Sequence, residues 1–158
     1  MDTVKKVFIW VTALLLLLTA IAKIAAAFGG LKILSVPNNV FPSLSTREVV
    51  LIAAGFELTT VAFVVKSRNN RAFQLLAIGW LSLIFICYRL QLALGNFWEP
   101  CPCLGRIPEA IGLDPAFAEA FTKYLLAFMF LGSWGLLAWV GAAALKRRIV
   151  SKWDANAY

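Results

Sequence analysis

Apolar residues run along this chain in four long tracts, Val7 to Phe28, Arg47 to Val65, Ala72 to Leu94 and Thr122 to Leu145, with short polar connections between them. Each tract approaches the roughly 20 residues needed to cross a hydrocarbon core about 30 Å thick. Lipid offers no partner to free backbone N–H and C=O groups, and the tracts are too long and too continuously apolar for barrel strands. The pattern therefore predicts an all-α integral membrane four-helix bundle, with residues 1–158 forming a single transmembrane domain.

A second reading stays open for the first tract. Lys5 and Lys6 precede it and Ala25 to Ala27 resemble a small-residue cleavage region, as in a signal peptide. Against that, the apolar stretch is long for a signal core, and Lys23 would fall just before the cut.

Turn formers collect in two connections. The first, about Gly29 to Thr46, holds Pro37, Asn38, Asn39 and Pro42. The second, about Gly95 to Phe121, holds Pro100, Pro102, Pro108 and Pro115. In the second, Asp114-Pro115 reads as a helix start, with Asp114 as N-cap and Pro115 at the first helical position. A short amphipathic helix is expected there.

Composition narrows the chemistry. Hydrophobic residues make up 61% of the chain against 15% charged, more apolar than the roughly 45–50% of soluble domains, so little is left for a water-soluble unit. The net charge of +7 sits in short flanks of apolar tracts, which points to topology and not to nucleic acid. Lys5 and Lys6, then Lys66, Arg68 and Arg71, then Lys146, Arg147, Arg148 and Lys152 fall on one side of a four-span chain. The positive-inside bias makes that side, with both termini, cytoplasmic. Histidine is absent, which removes histidine-ligated haem, histidine zinc sites and an imidazole base.

The sharpest local feature is Trp98-Glu99-Pro100-Cys101-Pro102-Cys103-Leu104-Gly105, directly after the third tract. Its expected extracytoplasmic side is oxidising, so a disulfide is the first reading. A bridge between Cys101 and Cys103 requires a bend at Pro102 and closes a small, strained ring, which eases reduction. It stabilises by only about 1.6 kcal/mol in the chain-entropy picture, so redox exchange gains weight over stapling. Free thiols, pairing with Cys87 or another chain, and Cu(I) ligation are the alternatives. Arg106 stands close enough in sequence to lower a thiolate pKa.

With Ala22-Lys23-Ile24 closing the first tract, Glu57 in the second and Cys101-Pro102-Cys103-Leu104-Gly105 after the third, the chain resembles the DoxX-like and MauE-like family of four-span, redox-associated membrane proteins. The resemblance covers about Val7 to Leu145. The MauE branch implies help in forming disulfides in an extracytoplasmic partner, together with a thioredoxin-like protein; DoxX relatives imply quinone-linked sulfur oxidation. Leu104 stands where MauE itself is expected to carry phenylalanine, so both branches stay open. The expected location is a bacterial inner (cytoplasmic) membrane, with Cys101 and Cys103 extracytoplasmic.

Beyond the first two residues of each tract, three charges fall inside, where each costs about 2.5–3.5 kcal/mol at the centre. Lys23 and Arg89 lie close enough to the outer ends to snorkel. Glu57 is central and short, so it is expected to be neutral or paired with Lys23 or Arg89. Cys87 sits about 10 Å below the outer end of its span, with Gln91 on its face and Tyr88 beside it. These residues either line a pocket suited to a quinone headgroup or, for Cys87, fill space in a helix. Trp10, Trp80, Trp98, Trp134, Trp139 and Trp153 read as interfacial or bundle aromatics, and Gly132, Ser133 and Gly135 as packing positions.

The leading expectation is a membrane thiol–disulfide redox protein. Cys101 and Cys103 would pass electrons between an extracytoplasmic thiol partner and a membrane acceptor, quinone, with Cys87, Tyr88, Gln91, Glu57, Lys23 and Arg89 around the cofactor. The competing expectation is a non-catalytic accessory subunit of a larger membrane complex. A transporter is disfavoured by the lack of a proline-broken span or inverted repeat.

Overall fold

The computed structural model describes residues 2–29, 37–38, 40–68, 70–95 and 115–155; for residues 2, 115, 116, 118, 119 and 144–155 the description is of backbone alone. Four helices account for nearly all of it: α1 Asp2–Phe28, α2 Thr46–Lys66, α3 Arg71–Leu94 and α4 Pro115–Ala155. All four are long and apolar enough to cross a membrane, over Thr3–Phe28, Thr46–Lys66, Arg71–Leu94 and Ala120–Ala143. The chain is an all-α membrane protein, as the hydropathy pattern predicts.

The helix ends follow local chemistry. Ser45 caps α2 in a reciprocal box: its hydroxyl accepts from the Glu48 N–H at 3.3 Å, while the Ser45 N–H donates to Glu48 Oε2 at 2.7 Å. The α2–α3 connection is brief. The Ser67 N–H donates back to the Phe63 carbonyl at 2.9 Å, and the Asn70 side chain accepts from the Phe73 N–H at 3.4 Å to open α3. Pro115 opens α4 as expected from the sequence, but the helix continues through the fourth span without a break. The expected short helix therefore forms the first turns of α4. Its 41 residues make a rod of about 61 Å at 1.5 Å per residue, twice the hydrocarbon thickness.

α1 packs chiefly along α2, and α3 along α4, with lighter contact between α2 and α3. The core gathers where the chain ends lie: Phe8, Ile9, Ala13 and Leu16 of α1 meet Val64 of α2, Leu75, Ile78 and Leu81 of α3 and Met129 of α4. Small residues allow close approach. A Cβ on Gly132 would lie 2.3 Å from Phe8 Cε2, so this glycine seats the Phe8 ring, which also packs on Phe128 at 5.2 Å between centroids. Gly135 differs, because a Cβ there meets nothing within 4 Å. Of the two glycines read as packing positions, only Gly132 serves as one.

Three buried polar side chains in this half are satisfied by backbone, whereas the Thr12 hydroxyl, also buried, has no hydrogen-bond partner among the described residues. Ser82 donates to the Gly79 carbonyl at 2.8 Å, Ser133 to the Met129 carbonyl at 2.7 Å, and Gln74 to the Val64 carbonyl at 2.6 Å. In lipid, such bonds remove the cost of an unpaired polar group. Outward faces carry Val7, Leu14, Ile21, Phe73, Leu90, Leu131 and Trp139 exposed, as a lipid-facing surface requires.

Candidate functional site

The opposite half, toward the ends of α1 and α3 and the starts of α2 and α4, is hollow. A cavity of about 490 Å³ lies between the first turns of α2 and the last turns of α3, within the roughly 300–1,000 Å³ of small-molecule sites. Val49, Val50, Ile52, Ala53 and Phe56 of α2 form one wall. Trp80, Leu83, Ile84, Phe85, Cys87, Tyr88, Arg89 and Gln91 form the other, with Lys23 of α1, Thr122 and Leu126 of α4, and Asn38 and Phe41 of the first connection. Five of the six residues expected around a cofactor, Lys23, Cys87, Tyr88, Arg89 and Gln91, share this lining. Glu57 is absent from it.

Glu57 is instead buried behind Lys23, at 2% exposure, and the Lys23 ammonium donates to Glu57 Oε1 as a buried ion pair. Lys23 lies five residues before the end of α1 at Phe28, near enough to snorkel outward, yet it turns inward. Helical side chains lean toward the helix N-terminus, here the membrane interior, and pairing relieves a carboxylate that would cost several kcal/mol alone. The Lys23 nitrogen also sits 5.0 Å from the centroid of the Phe85 ring, a cation–π contact. Snorkelling is thus excluded for Lys23, and the partner of Glu57 is Lys23 and not Arg89. Glu57 Oε2 is buried with no hydrogen-bond partner among the described residues.

The first connection contributes a built cover. Asn38, 6% exposed, accepts at Oδ1 from the N–H groups of Val40 at 2.9 Å and Phe41 at 3.1 Å, and its Nδ2 donates to the Tyr88 hydroxyl at 3.0 Å. Phe41 stacks on Tyr88 with centroids 6.4 Å apart and planes 8° from parallel. The Asn38 N–H donates to the Leu44 carbonyl at 2.8 Å, and Pro37 pairs with Ser45 in an antiparallel bridge. One asparagine thus ties the connection to α3 at the cavity rim. Asn38 and Phe41 escaped the sequence reading as site residues. The available signal was the Asn-rich turn itself, since an Asx turn needs a short acceptor side chain at its start.

Cys87 is exposed and lines the cavity, so it is not a filler of the packed core. Trp80 stands ten residues into its span and also faces the cavity, which separates it from an interfacial anchor. Cys101, Cys103, Arg106, Trp98 and Asp114 lie outside the described residues, as do the side chains of Trp153 and the final basic cluster. Among the described residues no group of three or more Cys, Asp or Glu is placed to hold a metal ion.

Chemically, the arrangement offers an apolar slot with a few polar groups, one of which is a cation held beneath the surface. Comparison of the chain with family models, with curated proteins and with solved structures finds no match.

Proposed function

We propose that this protein is a membrane thiol–disulfide redox protein that passes electrons from a thiol partner to a quinone held in the α2–α3 cavity. The observation that carries the reading is the cavity: an apolar slot within the membrane-spanning part, with hydrogen-bonding and cationic groups at a few points, suits a molecule with an apolar tail and a polar ring. α3 ends at Leu94, at the cavity end of the bundle, and the Cys101-Pro102-Cys103 segment follows in the chain.

In the proposed reaction a thiolate of the partner attacks the Cys101–Cys103 disulfide, and the partner's second thiol resolves the mixed disulfide, which leaves the partner as a disulfide and the pair as a dithiol. Oxidation of the dithiol to a disulfide releases two electrons and two protons, and the quinone takes up both pairs to become quinol. The family resemblance supports the same reading, with a thioredoxin-like or disulfide-bearing protein as the extracytoplasmic partner. The proposed location is the bacterial inner membrane, with both termini cytoplasmic by the positive-inside bias of the flanks.

The test uses the reduced, purified protein in liposomes with decylubiquinone as acceptor. Loss of thiols in step with quinol formation is expected, and Cys101→Ser/Cys103→Ser should abolish both. Quinol formation that survives in the double variant, or none in the wild type, overturns the reading. Co-purification of an unimpaired double variant with a larger membrane assembly would put the accessory-subunit reading in its place.

A further inference from the structure

The Lys23–Glu57 pair is asymmetric with respect to the cavity: Lys23 borders it and Glu57 does not. An ammonium has three N–H donors and no acceptor. One donates to Glu57 Oε1, and the nitrogen lies over the Phe85 ring, which leaves donor capacity on the side where the cavity lies. We infer that Glu57 is a positioning residue that aims the Lys23 ammonium into the cavity, where its remaining N–H groups bind the acceptor end of the occupant. This rests on the proposed reading of the cavity as a quinone site and assigns the contact to the ring's carbonyl oxygen.

Depth supports the assignment. Phe85, beneath Lys23, lies nine residues before the end of α3 at Leu94, about 13 Å along the axis, whereas Tyr88 and Gln91 lie about 9 and 4 Å from that end. Lys23 therefore meets the cavity deeper than Tyr88, Arg89 and Gln91, and shallower than the Trp80 indole N–H. The Tyr88 hydroxyl accepts from Asn38 at the rim and keeps its O–H for a contact nearer the outer end. A carbonyl at the depth of Phe85 has Lys23 beside it, in surroundings where a charge-assisted hydrogen bond is screened little.

The role of Glu57 follows from what Lys23 would do without it. A lysine this near a helix end gains by snorkelling to water, so the buried carboxylate is what holds the ammonium inward. Glu57 then acts on the occupant only through Lys23, and the two substitutions should not add.

The experiment measures decylubiquinone affinity by equilibrium dialysis in nanodiscs for wild type, Lys23→Arg, Lys23→Met, Glu57→Leu and Lys23→Met/Glu57→Leu, with thermal unfolding recorded for each. The double variant removes both charges, and so keeps a folded reference even where a single variant fails to fold. We expect Lys23→Arg to bind within a few-fold of wild type. Glu57→Leu and the double variant should share one weakened affinity, about ten- to a hundredfold below wild type, the value of a charge-assisted hydrogen bond. A folded double variant that binds as tightly as wild type overturns the inference and leaves the cavity reading standing. Unaltered binding by folded Glu57→Leu overturns the positioning role. Absence of binding to wild type overturns the cavity reading itself.

Discussion

Where the chain ends lie, Leu75 and Ile78 of α3 meet Val64 of α2 and Leu16 of α1 with almost no accessible surface; at the other end α2 and α3 form the walls of a cavity of about 490 Å³. The polar side chains differ in parallel. In the packed half Ser82, Ser133 and Gln74 each return a hydrogen bond to a backbone carbonyl, Ser82 and Ser133 within their own helix and Gln74 to the neighbouring one. In the hollow half the bonds run between side chains of different elements, Lys23 to Glu57 and Asn38 to Tyr88. Lipid is as apolar as the core, so close packing, and not exclusion from water, holds the first half together. The second half holds its shape by specific polar ties, which leaves room between the walls.

The largest break in that comparison should come at the ion pair. Removing one partner, as in Lys23→Met, leaves a buried uncompensated charge and should cost about 3–5 kcal/mol, with much of it recovered when both charges are removed. Glu57→Gln, which keeps shape and hydrogen bonding, should be milder than Glu57→Lys, which puts two cations together. Reversible unfolding in mixed micelles checks the order. Equal losses from Gln and Lys would contradict the pairing.

Core truncation comes next. Leu75→Ala in the packed half should cost about 2 kcal/mol, the low end for buried leucine, because in lipid the lost packing remains while the transfer contribution fades. Ile84→Ala, in the cavity wall, should cost under about 0.5 kcal/mol, as an exposed side chain does. A similar cost at both positions would erase the distinction between the halves.

A finer comparison uses the two glycines. Gly132→Ala forces its methyl against the Phe8 ring and should cost about 1–3 kcal/mol relative to Gly135→Ala, which enters open space. The smallest effect is expected for Cys87→Ala: stability should change by under about 0.5 kcal/mol, and partner oxidation should persist if the exchanging thiols are Cys101 and Cys103. A mixed disulfide trapped on Cys87 would count against that division of roles.

Much of the fold was legible because lipid leaves a long apolar tract few choices. The four spans match within a few residues; α1 and α4 run on past their tracts, since a helix continues through polar residues until a cap or proline stops it. The cap of α2 was written in Ser45 and Glu48, spaced as a capping box. Within the site, the i, i+4 relation of Cys87 and Gln91 marked one wall of the cavity. The choice between Lys23 and Arg89 as partner of Glu57 was not legible, because it depends on how α1 lies along α2, and hydropathy carries no information on rotation about a helix axis. The Asn38 tie to Tyr88 spans fifty residues and has no local signature.

The central claim is that the hollow half is a quinone site and the packed half is its support. Ala53 borders the cavity from α2, so Ala53→Trp fills the slot without disturbing the core at the other end. The direct measurement is decylubiquinone reduction by the dithiol form of Ala53→Trp in liposomes, beside its thermal unfolding. The account predicts wild-type stability with quinone reduction abolished; wild-type reduction by a folded Ala53→Trp protein would contradict it.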